Sequence, residues 1–401
     1  MSDSSKHIST FLAHSGAAPF DPETGVAPVN LPPMRASTVR FRDIDKLEHV
    51  QRRRAEGGRP ASYGIYGMDT HIALEDIFKE LEDGEYCTLQ PSGLASIAMV
   101  FLGLLSAGDH ALVADCVYGP IYEFNNAVLK RMGIEVSYFP SSATPDELEK
   151  LIRPNTRLLY VETPGSLLFQ MMDIPALAEL ANRRGLVLAT DNTWGSGYIY
   201  RPLQLGAHIS VIAGTKYIAG HSDLMLGAVV ARDHEIFQRI ARTQYAIGNS
   251  ISADDVWLAL RGVRTMPVRM EQHARHAMTI CDFLSRRPEV SRLYNPAWPQ
   301  DPGHALWQRD CTGTNGMLAI SLKFTPAQAR RFVESLTLFG IGFSWGGFES
   351  LVQLVTPNEL ARHAYWSEGD LALVRLHIGL EDPRDVIADL TQALEAAAKE
   401  A

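Results

Sequence analysis

Cysteine is scarce: the 401 residues hold four, Cys87, Cys116, Cys281 and Cys311. No two stand at a CxxC spacing, so a zinc ribbon or dithiol redox motif has no support. Four in so long a chain do not make a disulfide framework either. They read as reduced, mostly buried packing residues. Long apolar runs are also missing. The longest, near Ala98–Leu105, falls far short of the ~20 residues a membrane span needs. Met1–Ser15 mixes Asp3, Lys6 and two histidines with short apolar runs, unlike a signal peptide. A cytoplasmic protein with no membrane role is expected. Excess positive charge is absent as well, because 37 basic against 46 acidic side chains leave −9. Such a chain is a poor nucleic-acid binder. Its densest basic runs, Arg52–Arg54 and Arg183–Arg184, read as solvated helix ends.

What is present is an ordinary globular composition, with 46% apolar and 21% charged residues. That excludes wholesale disorder and fibrous folds, and the length suggests two domains. Pro19, Pro22, Pro28, Pro32 and Pro33 rule out a long early helix and make the start an extended arm. The arm must lie against its own body or a second subunit. A short helix over Ile44–Ala55 is broken by Glu56–Pro60.

From Thr70 onward, strand and helix alternate. Helical spacing covers Thr70–Leu81, Ala95–Leu105, Ile121–Met132, Pro145–Ile152 and Pro175–Arg183. Strand patterns cover Tyr86–Gln90, His110–Ala114, Glu135–Phe139, Leu158–Glu162, Leu186–Thr190, Ile209–Ala213 and Ala228–Ala231. This is the texture of an α/β fold: a large domain with a mostly parallel, mixed sheet flanked by helices. Past Ala253 comes a long helix to Ser285, interrupted near Pro267. A loop-rich Pro288–Asn315 follows, then the strands Met317–Phe324 and Leu373–Gly379 around a helix Pro326–Leu336. That part reads as a smaller C-terminal α+β domain. No internal repeat or low-complexity run is visible. The expected division is an arm over 1–65, a large domain over 66–258 and a C-terminal domain over 259–401.

Ligands of such sheets sit at the carboxyl ends of the strands. Three segments meet that rule: Asp191-Asn192-Thr193-Trp194, Gly214-Thr215-Lys216-Tyr217, and Pro91-Ser92-Gly93-Leu94 at a helix start. Free N–H groups at a helix start hold a phosphate. A carboxylate keeps a pyridine nitrogen protonated, and a lysine forms a Schiff base. Together they describe a pyridoxal 5'-phosphate site. Singly, Ser-Gly is often only a cap, an aspartate after a strand only a turn, and a lysine a surface residue. All three at successive strand ends are not easily accidental.

The order of these strings resembles the Cys/Met-metabolism family of pyridoxal phosphate enzymes (fold type I, aspartate-aminotransferase-like). Further matches are Asp-Cys-Val-Tyr at 115–118, Gly-His-Ser-Asp at 220–223, Arg-Gly-Val-Arg-Thr at 261–265, Ser-Trp-Gly-Gly at 344–347 and Arg-Leu-His-Ile-Gly-Leu-Glu at 375–381. The resemblance implies a role for each position. Lys216 would carry the cofactor and shuttle protons. Asp191 would pair with the pyridinium nitrogen, and Tyr118 would stack on the ring. Gly93, Leu94 and Thr215 would hold the phosphate. Tyr63 would reach a neighbouring subunit's cofactor. Arg375 would bind the substrate carboxylate, a task suited to a guanidinium fork, with Ser344, Trp345 and Tyr66 lining the pocket. Tyr118, Trp345 and Arg375 each also have a plain reading as core or ion-pair residues. His221 and His377 read as packed histidines. His273 and His276 share a helix face without a third ligand, so no metal is expected.

The family usually has an arginine where this chain has Ile65, and often a basic residue where it has Tyr66. A common serine is Ala213. Arg59, Arg35 and Arg42 are candidate substitutes for the phosphate-reaching arginine. The implied activity is α,β-elimination of L-cystathionine to homocysteine, pyruvate and ammonia, in methionine biosynthesis. The open alternatives are γ-lyase, γ-synthase, racemase or cysteine-S-conjugate β-lyase chemistry on the same cofactor. The implied partners are a small amino-acid substrate and further copies of the chain, as a dimer of dimers. A dinucleotide oxidoreductase fails because no G-x-G-x-x-G follows a strand. A silent interaction protein is disfavoured by the intact Lys216, Asp191 and Arg375.

Overall fold

The computed structural model describes residues 6–56 and 58–399. The first five residues of the segment weighed as a signal peptide, and Gly57 of the helix-breaking segment, lie outside the described residues.

Seven strands make the first sheet: β1 Tyr86–Gln90, β2 His110–Ala114, β3 Glu135–Phe139, β4 Thr156–Glu162, β5 Val187–Asp191, β6 Ile209–Ile212 and β7 Gly227–Ala231. Their order is β1-β7-β6-β5-β4-β2-β3. The block β6-β5-β4-β2-β3 is parallel, and β7 runs antiparallel to both β1 and β6. Every residue of β2, β6 and β7 is buried, which explains their continuous Val, Leu, Ile and Ala runs. Because β1 points the same way as β6, the carboxyl ends of β1, β2, β4, β5 and β6 share one edge of the sheet.

The second sheet has β8 Val290–Tyr294, β9 Met317–Leu322, β10 Gly340–Ile341, β11 Leu351–Leu354 and β12 Ala372–His377, in the order β10-β11-β12-β9-β8. It is antiparallel except for β10 against β11. Alternation along β12 divides its duties. Val374 and Leu376 enter the small apolar core with Phe332, Leu390 and Leu394. Arg375 and His377 occupy the other face. The two cores hand over within one helix, Met266–Ser285: Met270 belongs to the large core and Ala277 to the small one.

Several elements depart from the sequence expectation. The long helix breaks at Arg264–Thr265, and Pro267 lies in the first turn of the next helix, where its missing N–H costs nothing. Ile121–Met132 is not one α-helix but a short α-turn, a π-turn and a 3₁₀ turn in series. The loop-rich segment contains β8 and a helix, His304–Asp310. Helices His234–Ala246 and Pro383–Ala398 complete the layers. The capping chemistry at Thr144-Pro145-Asp146-Glu147 is present, with Thr144 and Glu147 satisfying each other's backbone N–H groups. Arg183 and Arg184 end a helix and pair with Glu149. Arg54 instead stacks on the Tyr66 ring, 3.1 Å from its centroid.

The arm packs on its own body. Arg264 donates to the carbonyls of Ser15 and Gly16 and to Asn30, and the Trp257 indole donates to Leu31 O. Exposed Phe20, Val26 and Val29 remain on its outer side. No helix of the described residues is long and apolar enough to cross a membrane.

Glu82 ends the helix Asp69–Glu82, is fully buried, and accepts a 2.6 Å hydrogen bond from Asn192 Nδ2. Burial pushes its carboxyl up to about 8. The folded state therefore keeps a proton that the unfolded chain releases, and stability falls as pH rises from the ordinary carboxylate range to about 8. Glu82→Gln should melt higher than the parent, by a wider margin near about pH 8 than near about pH 5. Thermal scans at both pH values check this.

Candidate active site

The common edge of the first sheet gathers the three segments singled out in the sequence. Asp191 is the last residue of β5 and is buried. Its Oδ1 accepts from Thr193 N at 2.9 Å, and Thr193 Oγ1 in turn accepts from Ala213 N at 2.9 Å. The turn after β5 is thereby laced to the turn after β6, which carries Lys216. Burial holds the Asp191 carboxyl above its ordinary range, opposed by the Thr193 hydrogen bonds and by the Lys216 charge. Among the described residues no cation forms an ion pair with Asp191.

Lys216 donates from Nζ to Ser344 Oγ at 2.8 Å and lies 5.2 Å from the centroid of the Trp345 ring. Burial first, and the neighbouring Arg375 charge second, bring its amine down to about 8, against the pull of Asp191. The loop bearing Ser344 and Trp345 comes from the second sheet. Arg375 Nη2 donates to Phe343 O at 2.7 Å, and His377 Nε2 accepts from Gly346 N at 3.1 Å. Gly346 has φ +88°, and a Cβ there would stand 2.9 Å from the Lys216 carbonyl carbon. Only glycine lets this loop lie on the lysine turn. Arg375 is buried, and burial lowers its guanidinium to about 10.

The helix Gly93–Leu104 starts on the same edge. Ser92 caps it, accepting from Ala95 N at 3.1 Å. Among the described residues the N–H groups of Gly93 and Leu94 have no partner, as the first turn of a helix requires. A Cβ on Gly93 would be 2.6 Å from that of Ala213, so the helix start can approach the β6 turn only as glycine. Thr215 Oγ1 is spent within the chain, donating to Leu226 O at 3.1 Å and accepting from Leu226 N at 3.0 Å. Tyr118 follows β2, is 46% exposed, and lies near enough to Asp191 and Arg375 to feel both charges. Free helix-start N–H groups, a buried unpaired carboxylate and a lysine amine brought toward neutrality fit pyridoxal 5'-phosphate: phosphate to Gly93 and Leu94, ring nitrogen to Asp191, aldehyde to Lys216.

Within one chain Tyr63 and Tyr66 do not join this group. Tyr63 is half exposed and bridges Thr38. Tyr66 lies edge-on to Tyr245 at 4.8 Å and under Arg54. Of the packed histidines, His377 and His273 bond backbone carbonyls, as does His276. Among the described residues no group of three or more His, Cys, Asp or Glu side chains could hold a metal ion. Sequence reasoning reads His377 only as a packed histidine and passes over Glu162. His377 anchors the Gly346 loop. Glu162, the last residue of β4, accepts from Tyr118 N at 2.6 Å.

Comparison with known proteins gives the family. Residues 9–395 match the family described as Cys/Met metabolism PLP-dependent enzyme. The chain is 68% identical to a cystathionine β-lyase of Bordetella avium, over 99% of this chain and all of that one. It is 36% identical to a cystathionine β-lyase of Haemophilus influenzae, over 97% and 98%. A solved cystathionine γ-synthase of Xanthomonas oryzae pv. oryzae superposes with a TM-score of 0.89 at 30% identity, covering 99% of this chain and 100% of that one.

A Lys216 amine that captures pyridoxal 5'-phosphate has to be neutral to attack the aldehyde. The rate of capture by the apoprotein should rise with pH to a plateau around a midpoint of about 8, below an ordinary lysine. Arg375→Leu removes a neighbouring cation and should move that midpoint up. Stopped-flow absorbance across a pH series reads both.

Proposed function

Because the chain belongs to the Cys/Met metabolism family of PLP-dependent enzymes, we propose that it is a carbon–sulfur lyase that cleaves L-cystathionine by α,β-elimination, in methionine biosynthesis. The products are homocysteine, pyruvate and ammonia. The observation that carries the proposal is the Lys216 amine, held by Ser344 at 2.8 Å within the fields of buried Arg375 and buried Asp191. Likeness to two cystathionine β-lyases supports the choice of substrate.

Pyridoxal 5'-phosphate, when bound, supplies the electron sink that lets the substrate Cα lose its proton. The remaining steps use side chains of this chain. Arg375 takes the substrate α-carboxylate on its free guanidinium edge, since only Nη2 is engaged with the loop carbonyls. Lys216 Nζ removes the Cα proton as a general base. With its pKa at about 8, it is neutral in a useful fraction and regains a proton readily. Asp191, buried and fixed by Thr193, holds negative charge at the ring-nitrogen position throughout, a preorganised stabilisation. Tyr118 covers the ring face, and Trp345 with Ser344 closes the wall beside Lys216. The thiol then leaves Cβ, and the remaining three-carbon fragment hydrolyses to the keto acid.

The working unit is a cytoplasmic homo-oligomer, a dimer of dimers, in which the 1–65 arm and Tyr63 serve a neighbouring active site. Half-exposed Tyr63 and the uncovered Phe20, Val26 and Val29 support this. The large domain, 66–258, binds the cofactor, and 259–401 closes over it. A second reading is γ-elimination or γ-replacement, favoured by Ile65 and Tyr66 and by likeness to a γ-synthase. Keto-acid analysis after incubation with cystathionine separates them. Pyruvate is expected; 2-oxobutyrate in its place would transfer the enzyme to the γ class. Lys216→Ala should lose at least about 1,000-fold in kcat.

A further inference from the structure

Glu162 ends β4 directly opposite Asp191, its register partner on β5. In parallel register the two side chains leave the sheet on the same face, so two carboxyls stand side by side at the cofactor edge. Asp191 has the task of meeting a ring nitrogen. Glu162 has a different bond: its Oε2 accepts the backbone N–H of Tyr118 at 2.6 Å. Cys116 Sγ donates to its main-chain carbonyl at 3.3 Å, so the β2–Tyr118 segment is tied to the β4 end twice.

We infer that Glu162 is a positioning residue, whose carboxyl fixes the Tyr118 backbone, and through it the Tyr118 ring, beside Asp191. The inference rests on the cofactor reading above. Tyr118 needs such a restraint, because it sits in a loop and is 46% exposed, with little packing to hold its ring. The titratable groups around Glu162 are Asp191, Tyr118, Tyr160 and Cys116. None is a cation, and among the described residues no ion pair involves Glu162. Burial and the Asp191 charge push the Glu162 carboxyl well above its ordinary range. That direction favours the protonated form, since two negative carboxylates side by side repel. Its acceptor oxygen serves the Tyr118 N–H in the neutral form.

Two substitutions separate position from charge. Glu162→Gln keeps an acceptor oxygen and neutrality, and should leave kcat and the visible circular dichroism of bound cofactor within about twofold. Glu162→Met keeps the volume and loses the acceptor. It should lower kcat by at least about tenfold, as a displaced positioning contact does, and weaken the visible dichroic band while far-ultraviolet dichroism is unchanged. Amide exchange at Tyr118 in the apoprotein should be slow in the parent and Glu162→Gln and fast in Glu162→Met. Glu162→Ala replaces the methionine variant if that one does not fold. Unchanged exchange and dichroism in Glu162→Met would overturn the inference, and so would a Glu162→Gln as damaged as Glu162→Met. A parent protein with no cofactor band would sink the functional reading, while the exchange comparison still decides the Tyr118–Glu162 contact.

Discussion

A lysine amine and an aspartate carboxylate must be buried near one another without collapsing into an ion pair. This constraint organises the molecule. A closed Lys–Asp pair would hold the amine protonated and occupy the carboxylate proposed to meet a ring nitrogen. Here Lys216 is drawn to Ser344, and Asp191 is turned to the Thr193 backbone. Arg375 adds repulsion that lowers the amine further. The separation depends on two domains, since Ser344 and Arg375 come from the second sheet and Lys216 and Asp191 from the first.

The second sheet must therefore hold its loop firmly on the lysine turn. Strand β12 does so with one face, through Arg375 at Phe343 O and His377 at Gly346 N. His377 Nδ1 meets Glu349 O, so the ring donates there and accepts at Nε2, which requires the neutral form. Burial pushes its pKa well below the ordinary histidine range and secures that form. The same two side chains thus set the proposed substrate-carboxylate site and the partner of Lys216. Movement of this loop would disturb binding and proton transfer together.

Legibility in the sequence followed how local each signal was. Strands β1, β2 and β3 were read residue for residue, because each is a short apolar or alternating run bounded by turn residues. Strand β8, Val-Ser-Arg-Leu-Tyr, was hidden in a loop-rich stretch. Its pattern is partly polar, and only pairing with β9 makes it a strand. The helix His234–Ala246 is mostly polar, so its buried face of Phe237, Ile240 and Ala241 is a weak signal in the sequence. Asp191, Lys216 and Gly93 were legible because each sits just after or before a strong element. Glu162 was not. It reads as one polar residue closing an apolar strand, and its meaning arises only from register with Asp191.

Ile65 and Tyr66 stand where the family resemblance implies basic residues, which raises the question of which cation serves in their place. Each of the three nearby candidates is already engaged. Arg35 bonds Asp254 at 2.8 Å, and Arg42 bonds the adjacent Asp43 at 3.1 Å, both on the surface. Such exposed pairs are weak and could be exchanged for a better anion. Arg59 is different in kind, since it pairs with Glu75 and donates to Tyr245, and Glu75 is buried. Burial has already driven the Glu75 carboxyl up to about 7 with Arg59 opposing the rise. Withdrawing Arg59 would leave a buried carboxyl unpaired and force it to take up a proton. Arg59 is thus held beside the Tyr66–Tyr245–Arg54 cluster, and of the three cations Arg35 and Arg42 are the ones that can exchange partners at little cost.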